Sequence, residues 1–366
     1  MEIIISHPQL IKTLELISRI STKHVTLPVL QCALLNVEED KILIKATNLE
    51  LSIEVTIPGK VNETGTIAVP MATLLQSIQY INNQSEITLK DEDGVLVVES
   101  KQTNSSIKSI PYEEFPNIYR LQGEGVKITR SLFALGIKTT AFAASVSSIK
   151  PELGSVYIQQ KKEHSLTFTS TDSFRLMEKL VPQKGVVLDN SFLVPQKNAI
   201  ELARVCDLLD SNPTLVVTEN QCSLDFVEEG VYLTSRLVSG SFPDYEQIIP
   251  KEYVTHTTVL KSDLLNAFKK TSVFLNKFNQ VSLALSQNEL IISSQNNEIG
   301  HVTDTIKAVI EGEELSLNFN QQYLIEPLSH ISDDSVILHF AGIGRPLVIT
   351  GVSDNTLRYL VMPMNR

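Results

Sequence analysis

The chain has 366 residues and a formal net charge of −11, and hydrophobic residues make up 42% of it. This length suits two or three globular domains, and the ordinary composition excludes a fibrous repeat and a disordered chain. No apolar run approaches the roughly 18 residues that span a bilayer, and no basic leader precedes the first apolar residues, so we expect a cytoplasmic protein with no membrane partner.

The first predicted elements are two helices that flank a strand. Apolar residues at helical spacing predict a helix over 7–21, and a second helix is predicted over 71–81. Between them, an alternating strand over 41–46 leads to Asn48. The same order returns twice: a helix over 129–150, a strand over 166–170 before Asp172 and a helix over 196–209; then a helix over 260–280, a strand over 290–294 before Asn296 and a helix over 321–331.

The spacing of these landmarks indicates an internal repeat. Asn48, Asp172 and Asn296 follow one another at intervals of 124 residues. Asn and Asp accept hydrogen bonds from their own backbone and tolerate positive φ, so each predicts a turn after its strand. The starts of the second helices recur at intervals of 125 residues, where Pro70 and Pro195 suit a first helical turn and Asn320 suits an N-cap.

The repeat predicts three domains, over 1–123, 124–251 and 252–366. Each has two helices among many short strands, which indicates an α+β fold rather than α/β. Three such units in a row are compatible with an open solenoid or a closed ring.

The first helix of each predicted domain carries more Lys and Arg than Asp and Glu, although the whole chain is acidic. Three equivalent basic helices favour a shared basic surface. Ordinary solvated helix faces remain the alternative, because any one of these helices alone would be unremarkable in charge.

No pattern of catalytic or metal-binding residues is present. Cys32, Cys206 and Cys222 form no CxxC pair, which favours buried thiols, and the histidines are scattered. A catalytic pair of Asp172 and Arg175 is the rival interpretation, but the sequence has no P-loop, Rossmann glycines or nucleophile elbow, so Asp172 is better explained as a turn residue. We expect a protein that is not an enzyme and has no cofactor or metal.

Seven short motifs in order resemble those of the bacterial β sliding clamp family, the processivity subunits of DNA polymerase III, over essentially the whole chain. They are Thr26-Leu27-Pro28-Val29-Leu30, Glu114-Phe115-Pro116-Asn117, Thr171-Asp172-Ser173-Phe174-Arg175-Leu176, Val194-Pro195-Gln196-Lys197, Ser241-Phe242-Pro243-Asp244-Tyr245, Phe319-Asn320-Gln321-Gln322-Tyr323 and Tyr359-Leu360-Val361-Met362-Pro363-Met364.

The resemblance implies a head-to-tail homodimer of three-domain subunits, closed into a ring with helices inside and sheets outside. Such a ring encircles double-stranded DNA without reading its sequence and tethers the catalytic subunit of DNA polymerase III. Other implied partners are the clamp-loader complex and further polymerases and repair proteins that carry clamp-binding peptides. A peptide-binding scaffold that does not encircle DNA is the alternative.

The resemblance also implies three groups of site residues. The peptide groove matches Leu153, Thr171, Ser173, Phe174, Arg175, Leu176, Pro243, Gln247, Ile248, Asn320, Tyr323, Pro346, Leu360, Met362, Pro363 and Met364. The candidate DNA contacts are Lys12, Arg19, Lys23, His24, Arg130, Lys138, Lys150, Lys197, Arg204, Lys269, Lys270 and Lys277. The candidate dimer interface is Leu75, Ile78, Ile107, Val273 and Phe274.

Some positions depart from the family pattern. Ser173-Phe174 stands where Gly-His is common, and Gln247 stands where Arg is common, so we expect an altered peptide preference. Ser105 and Ser272 replace larger apolar residues at the presumed dimer interface, which predicts a looser dimer. For Leu176 and Met362, plain core packing is the alternative to a role in the groove.

Overall fold

The computed structural model of the chain describes residues 1–21, 26–82, 86–147 and 149–364. Within these ranges the α-helices are α1 (His7–Ile17), α2 (Met71–Gln79), α3 (Arg130–Thr140), α4 (Gln196–Leu208), α5 (Lys261–Thr271) and α6 (Gln321–Ile325). None of these helices, in the part of the chain that is described, is long and apolar enough to cross a membrane.

Short antiparallel strands make up most of the remaining regular structure. The first thirteen are β1 (Glu2–Ser6), β2 (Cys32–Val37), β3 (Ile42–Thr47), β4 (Leu51–Ile57), β5 (Lys60–Glu63), β6 (Gly65–Pro70), β7 (Glu86–Glu92), β8 (Val95–Glu99), β9 (Asn104–Lys108), β10 (Val126–Lys127), β11 (Ser155–Gln159), β12 (Ser165–Thr171) and β13 (Arg175–Pro182). The others are β14 (Phe192–Pro195), β15 (Thr214–Val217), β16 (Gln221–Phe226), β17 (Val231–Arg236), β18 (Thr255–Leu260), β19 (Gln280–Ser286), β20 (Glu289–Asn296), β21 (Gly300–Lys307), β22 (Val309–Gly312), β23 (Ser316–Asn320), β24 (Ser335–Phe340), β25 (Leu347–Gly351) and β26 (Leu357–Val361).

The chain divides into two compact units. Unit 1 consists of Met1–Ala134, Gly185–Val187 and Lys197–Leu237. It holds a five-stranded sheet in the order β5-β1-β7-β8-β9 and an eight-stranded sheet in the order β10-β15-β16-β17-β4-β3-β2-β6. Helix α1 contacts α2 and β4, and its Leu10, Leu14 and Ile17, spaced along one face, are fully buried.

Unit 2 consists of Leu135–Lys184, Leu188–Gln196 and Val238–Arg366. Its nine-stranded sheet has the order β14-β11-β12-β13-β26-β25-β24-β18-β22, and its four-stranded sheet has the order β21-β20-β19-β23. The main core contains Met177, Phe268, Phe319 and Tyr359. Because side chains alternate along a strand, Leu176 and Leu360 face the other side of the large sheet and join a second apolar cluster with Tyr245 and Val348.

The three predicted turns are confirmed by their hydrogen bonds. Oδ1 of Asn48 accepts the backbone N–H groups of Glu50 and Leu51 at 3.0 and 2.8 Å. Oδ1 of Asp172 accepts the equivalent pair, from Phe174 and Arg175, at 2.9 and 3.0 Å.

The third copy keeps the motif in a longer turn. Oδ1 of Asn296 accepts the N–H group of Glu298 at 3.0 Å. In the first two copies the positive φ falls on the residue after the Asx position, at 76° for Leu49 and 78° for Ser173.

The predicted helix ends were too late in the first helix of each domain. Helix α1 stops at Ile17 instead of residue 21, α3 at Thr140 instead of 150, and α5 at Thr271 instead of 280. Thr140 and Thr271 each donate a hydroxyl hydrogen bond to the carbonyl four residues earlier. Such bonds compete with the backbone and weaken the helix at its end, and a short 3₁₀ turn follows in both cases.

The second helices also differ in detail. Asn320 caps α6 as predicted, because its side chain accepts the N–H group of Gln322 at 3.0 Å. Pro70 and Pro195 are the last residues of β6 and β14, so each stands just before its helix. Helix α6 ends at Ile325, and a 3₁₀ turn over Glu326–His330 contains Pro327, which cannot continue α-helical hydrogen bonding.

These bounds change the charge of the helices. Arg19, Lys150 and Lys277 lie outside α1, α3 and α5. Helix α1 is then neutral, since Lys12 is balanced by Glu15. Helices α3 and α5 each keep an excess of two positive charges, so the basic character belongs to two of the three helices and to residues that follow them.

The cysteines are buried, as the sequence predicted. Cys32, Cys206 and Cys222 expose at most 1% of their surface and are not disulfide-bonded. Burial raises the pKa of Cys32 to about 11 and that of Cys222 to about 12, so these two thiols are unreactive near neutral pH.

The turns allow a direct comparison of two substitutions. Asp172→Ala should lower the free energy of unfolding by about 2 to 4 kcal/mol, because two N–H groups and the Arg175 guanidinium lose an acceptor. Asn48→Ala removes only the two N–H bonds and should cost about 1 to 2 kcal/mol. Urea unfolding measures both, and equal losses would contradict the role assigned to the ion pair.

Candidate functional site

The candidate site in unit 2 is built around the turn between β12 and β13. Thr171 accepts the Ser173 N–H group and donates its hydroxyl to the Arg175 carbonyl, at 3.1 and 2.6 Å. With Ser173 at positive φ, the turn directs Phe174 outward, and 63% of that side chain is exposed. The carbonyl of Phe174 accepts the N–H group of Met362 at 2.8 Å, which joins the turn to the segment after β26.

Arg175 is a structural anchor of this turn. Its guanidinium pairs with Asp172 at 3.0 Å, donates to the Phe142 carbonyl at 3.0 Å and forms an ion pair with Glu326. It also lies over the Tyr323 ring at 4.4 Å from the centroid. Only 9% of the residue is exposed. Arg175, a predicted groove residue, therefore holds the turn and the Tyr323 ring in place.

The carboxylate of Asp172 also accepts two hydrogen bonds from the backbone of the turn and pairs with Arg175. These contacts support its assignment as a turn residue and leave no sign of the catalytic pair considered from the sequence. No cluster of three or more His, Cys, Asp or Glu side chains that could hold a metal is found in the described ranges.

A cavity of about 470 Å³ opens beside the turn. Six predicted groove residues line it, together with three that sequence reasoning did not place there. The predicted ones are Phe174, Asn320, Tyr323, Met362, Pro363 and Met364, and the additional ones are Lys277, Phe278 and Asn279.

Lys277, Phe278 and Asn279 were not predicted to line the cavity, because α5 ends at Thr271 and not at residue 280. Because the helix was extended to residue 280, Lys277 was assigned to a basic helix face. In the structure the segment after α5 turns back, and the Asn279 carbonyl accepts the N–H group of Gln321 at 2.8 Å. Phe278 is 56% exposed, and the Lys277 ammonium lies 5.0 Å from its ring centroid. The sequence signal for this turn was Asn279, a residue type that tolerates the positive φ it adopts.

The other predicted groove residues separate by burial. Leu176 and Leu360 expose 0% and 1%, do not line the 470 Å³ cavity and belong to a buried apolar cluster, so Leu176 is a core residue in addition to any role in the groove. Leu153 and Thr171 are also buried, at 6% each.

Four further groove residues do not line the 470 Å³ cavity. Pro243, Gln247 and Ile248 are exposed and Pro346 is half-buried. The Gln247 amide donates to Asp244 at 2.7 Å.

The candidate DNA contacts fall into two classes. Arg130 donates to the carbonyls of Cys206 and Asp210, both at 3.0 Å, and Arg204 pairs with Glu201 at 2.6 Å and donates to the Leu16 carbonyl at 2.7 Å. Both arginines are committed to contacts within unit 1. The exposed candidates are Lys12, Arg19, Lys138, Lys150, Lys197, Lys269, Lys270 and Lys277.

Two DNA candidates, Lys23 and His24, lie outside the described residues. Lys270 is exposed but pairs with Asp304 at 2.8 Å. A DNA contact by the remaining exposed side chains stays a prediction.

The candidate dimer residues are likewise divided. Ile78 and Ile107 expose 0% and 5% and belong to the core of unit 1, and Leu75 is half-buried. In unit 2, Val273 is 61% exposed and Phe274 is half-buried. Ser105 lies on β9, an edge strand of its sheet, and Ser272 is exposed on the 3₁₀ turn after α5.

Models of a single protein family match almost the entire chain. The N-terminal, central and C-terminal domains of the DNA polymerase III beta subunit match residues 1–119, 127–244 and 246–365. The chain is 26% identical to the beta sliding clamp of Synechococcus elongatus, covering 100% of this chain and 99% of that one, and 25% identical to that of Haemophilus influenzae, covering 100% of both.

Solved structures give the same result. The DNA polymerase III subunit beta of Pseudomonas aeruginosa superposes with a TM-score of 0.94 at 25% identity, over 100% of both chains. The beta subunit of Thermotoga maritima superposes equally well, with a TM-score of 0.94 at 24% identity, over 100% of this chain and 99% of that one. The α+β fold of three clamp domains that the sequence predicted is confirmed.

The burial pattern separates the apolar cluster that contains Leu176 from the exposed wall of the cavity. Leu176→Ala should lower the free energy of unfolding by about 2 to 5 kcal/mol, because it leaves a cavity in a buried cluster. Phe174→Ala, at an exposed position, should change it by no more than about 0.5 kcal/mol. Thermal and urea unfolding measure both effects, and an unchanged stability of Leu176→Ala would show that the assignment of Leu176 to the core is wrong.

Proposed function

This chain belongs to the DNA polymerase III beta subunit family and is a non-catalytic DNA sliding clamp, and we propose that two copies close into a ring whose peptide groove lies beside Phe174. The family match over almost the entire chain carries the assignment. The cavity beside the turn at Asp172, in the second copy of the repeat, supports the position of the groove.

The proposed groove suits a short extended peptide with apolar anchors. Exposed or half-buried Phe174, Tyr323, Met362 and Met364 offer aromatic and thioether surface around a cavity of about 470 Å³. Methionine side chains repack easily, which allows one site to accept different peptides. Two or three buried anchors contribute about 1.5 to 3 kcal/mol each, so we expect roughly micromolar affinity after the cost of association.

Partners of this groove include the catalytic subunit of DNA polymerase III. We extend the proposal to the clamp-loader complex and to other polymerases and repair proteins that carry a suitable peptide. Cytoplasmic localisation is part of the proposal, since the ring acts on chromosomal DNA together with these partners.

Binding to DNA is proposed to depend on topology rather than on tight ion pairs. The chain has a net charge of −11, and an acidic protein repels DNA that is not enclosed. Weak contacts through water allow movement along the duplex and weaken further as salt rises.

The domain boundaries at residues 123 and 251 are also part of the proposed function.

Retention on DNA distinguishes the clamp from a peptide-binding scaffold. Protein loaded by a clamp loader onto nicked circular DNA should remain bound through gel filtration at moderate salt. Linearising the same DNA should release it, because the ring slides off a free end. Equal retention on both forms, or on neither, would favour the scaffold.

The serine residues at the presumed interface predict a loose dimer. Sedimentation of the unmodified protein should detect monomer at nanomolar subunit concentrations, because Ser105 and Ser272 bury little apolar area. The double change Ser105→Leu with Ser272→Leu should tighten the dimer by about tenfold or more through added apolar burial. Only dimer at nanomolar concentration in the unmodified protein would contradict this.

A further inference from the structure

A second cavity, of about 540 Å³, lies in unit 2 on the β12, β13 and β26 part of the large sheet. Both basic and acidic side chains line this cavity. Those that matter here are Lys161, Lys162, Glu178, Glu246, Lys251 and Arg358.

The two carboxylates of this cavity share one lysine as an ion-pair partner. The Lys161 ammonium pairs with Glu178 at 2.8 Å and with Glu246 at 2.7 Å. The Tyr245 hydroxyl also donates to Glu178, at 2.5 Å. Burial acts to lower the pKa of Lys161, but its hydrogen bonds to the carboxylates raise that pKa overall, so the lysine stays charged near neutral pH.

The other three cations are available to a ligand. Lys162 and Lys251 are exposed and form no ion pair within 4.0 Å in the part of the chain that the structure describes. Arg358 is 45% exposed and reaches Glu178 only at 3.9 Å. With four cations against two carboxylates, this cavity is positive in a chain of net charge −11.

The cavity borders the apolar cluster that contains Leu176, and Met362 of the proposed groove packs against the same cluster. Ile249 and Tyr253 line the cavity and also pack against this cluster. Glu178 and Leu180 lie on the same face of β13 as Leu176, because side chains alternate along a strand. At about 3.3 Å per residue, Leu180 is roughly 13 Å along the strand from Leu176, a distance that about four extended peptide residues cover.

We propose that this basic cavity binds acidic residues that flank the apolar anchors of the docking peptide, about three to five residues from them. The inference rests on the proposed peptide groove and names a chemical preference of its partners. The apolar cluster beside the cavity favours a peptide over a nucleic-acid strand, because apolar anchors held there bring a peptide flank to the cavity. An acidic flank is repelled by the rest of this acidic chain, so the cavity fixes where the flank can lie.

Three synthetic peptides with identical leucine and phenylalanine anchors test the proposal by fluorescence anisotropy. One has a neutral flank, one a flank of Asp and Glu, and one a flank of Lys. The acidic flank should bind about tenfold more tightly than the neutral one at low salt. This gain should vanish near about 1 M salt, where the screening length is about 3 Å, and the Lys flank should bind more weakly than the neutral one.

A pair of double variants locates the effect. Lys162→Gln with Lys251→Gln should remove most of the gain while leaving the affinity for the neutral peptide unchanged. Lys127→Gln with Lys307→Gln makes the same change in net charge at exposed positions outside the cavity and should keep the gain.

The outcomes are distinguishable. Binding of the neutral peptide with no gain from the acidic flank, or an equal loss in both double variants, overturns the inference and leaves the proposed groove standing. Absence of binding by all three peptides overturns the groove itself and the inference with it. If the cavity variants instead weaken binding of a single-stranded oligonucleotide and leave the acidic gain intact, the cavity is a nucleic-acid site and the inference is wrong.

Discussion

The contacts of Arg175 hold together the part of unit 2 on which the candidate groove depends. One guanidinium joins the turn at Asp172, the carbonyl of Phe142 and the carboxylate of Glu326. A buried charge is tolerated only when it is paired and hydrogen-bonded, and loss of one partner leaves the others uncompensated. Arg175 thus fixes the turn from which Phe174 projects and to which the Met362 segment is bonded.

The repeat explains why this arrangement occurs once. Asn48 makes the same two backbone bonds as Asp172, so the turn itself belongs to the shared fold. At the place of Arg175 the first copy has Leu51 and the third has Ile299, and at the place of Phe174 they have Glu50 and Glu298. Neither copy can form the guanidinium contacts or offer an aromatic wall. The proposed groove therefore belongs to the second turn and not to the other two.

Local chemistry was predictable from the sequence, and contacts between distant segments were not. The strands and their Asx turns follow from alternation and from a single Asn or Asp, and both are found where the pattern indicated. The ends of α3 and α5 depend on hydroxyl bonds of Thr140 and Thr271 back to their own helices, which periodicity does not reveal. A helix predicted to residue 280 includes Lys277 to Asn279, so these residues were not expected to line the cavity.

The conformation of Ser173 was also not predictable from the sequence. This serine stands where the family commonly has glycine and adopts a φ of 78°, which costs a residue other than glycine about 1 to 3 kcal/mol. Hydrogen bonds of Thr171 and Asp172 to the flanking backbone offset that cost. The sequence shows that serine stands at the glycine position, but only the surrounding hydrogen bonds explain why the turn still forms.

The cations show a division that charge counting could not reveal. Arg130, Arg175 and Arg204 bind carbonyls and carboxylates inside their own units, where a planar fork of donors satisfies several acceptors at once. Apart from Arg19, the exposed candidates for DNA contact are lysines. Lysine presents a hydrated point charge on a flexible chain, which suits contacts that form and break without fixed geometry. A basic surface made of lysines favours movement along DNA, whereas arginines bound bidentately to phosphates would slow it.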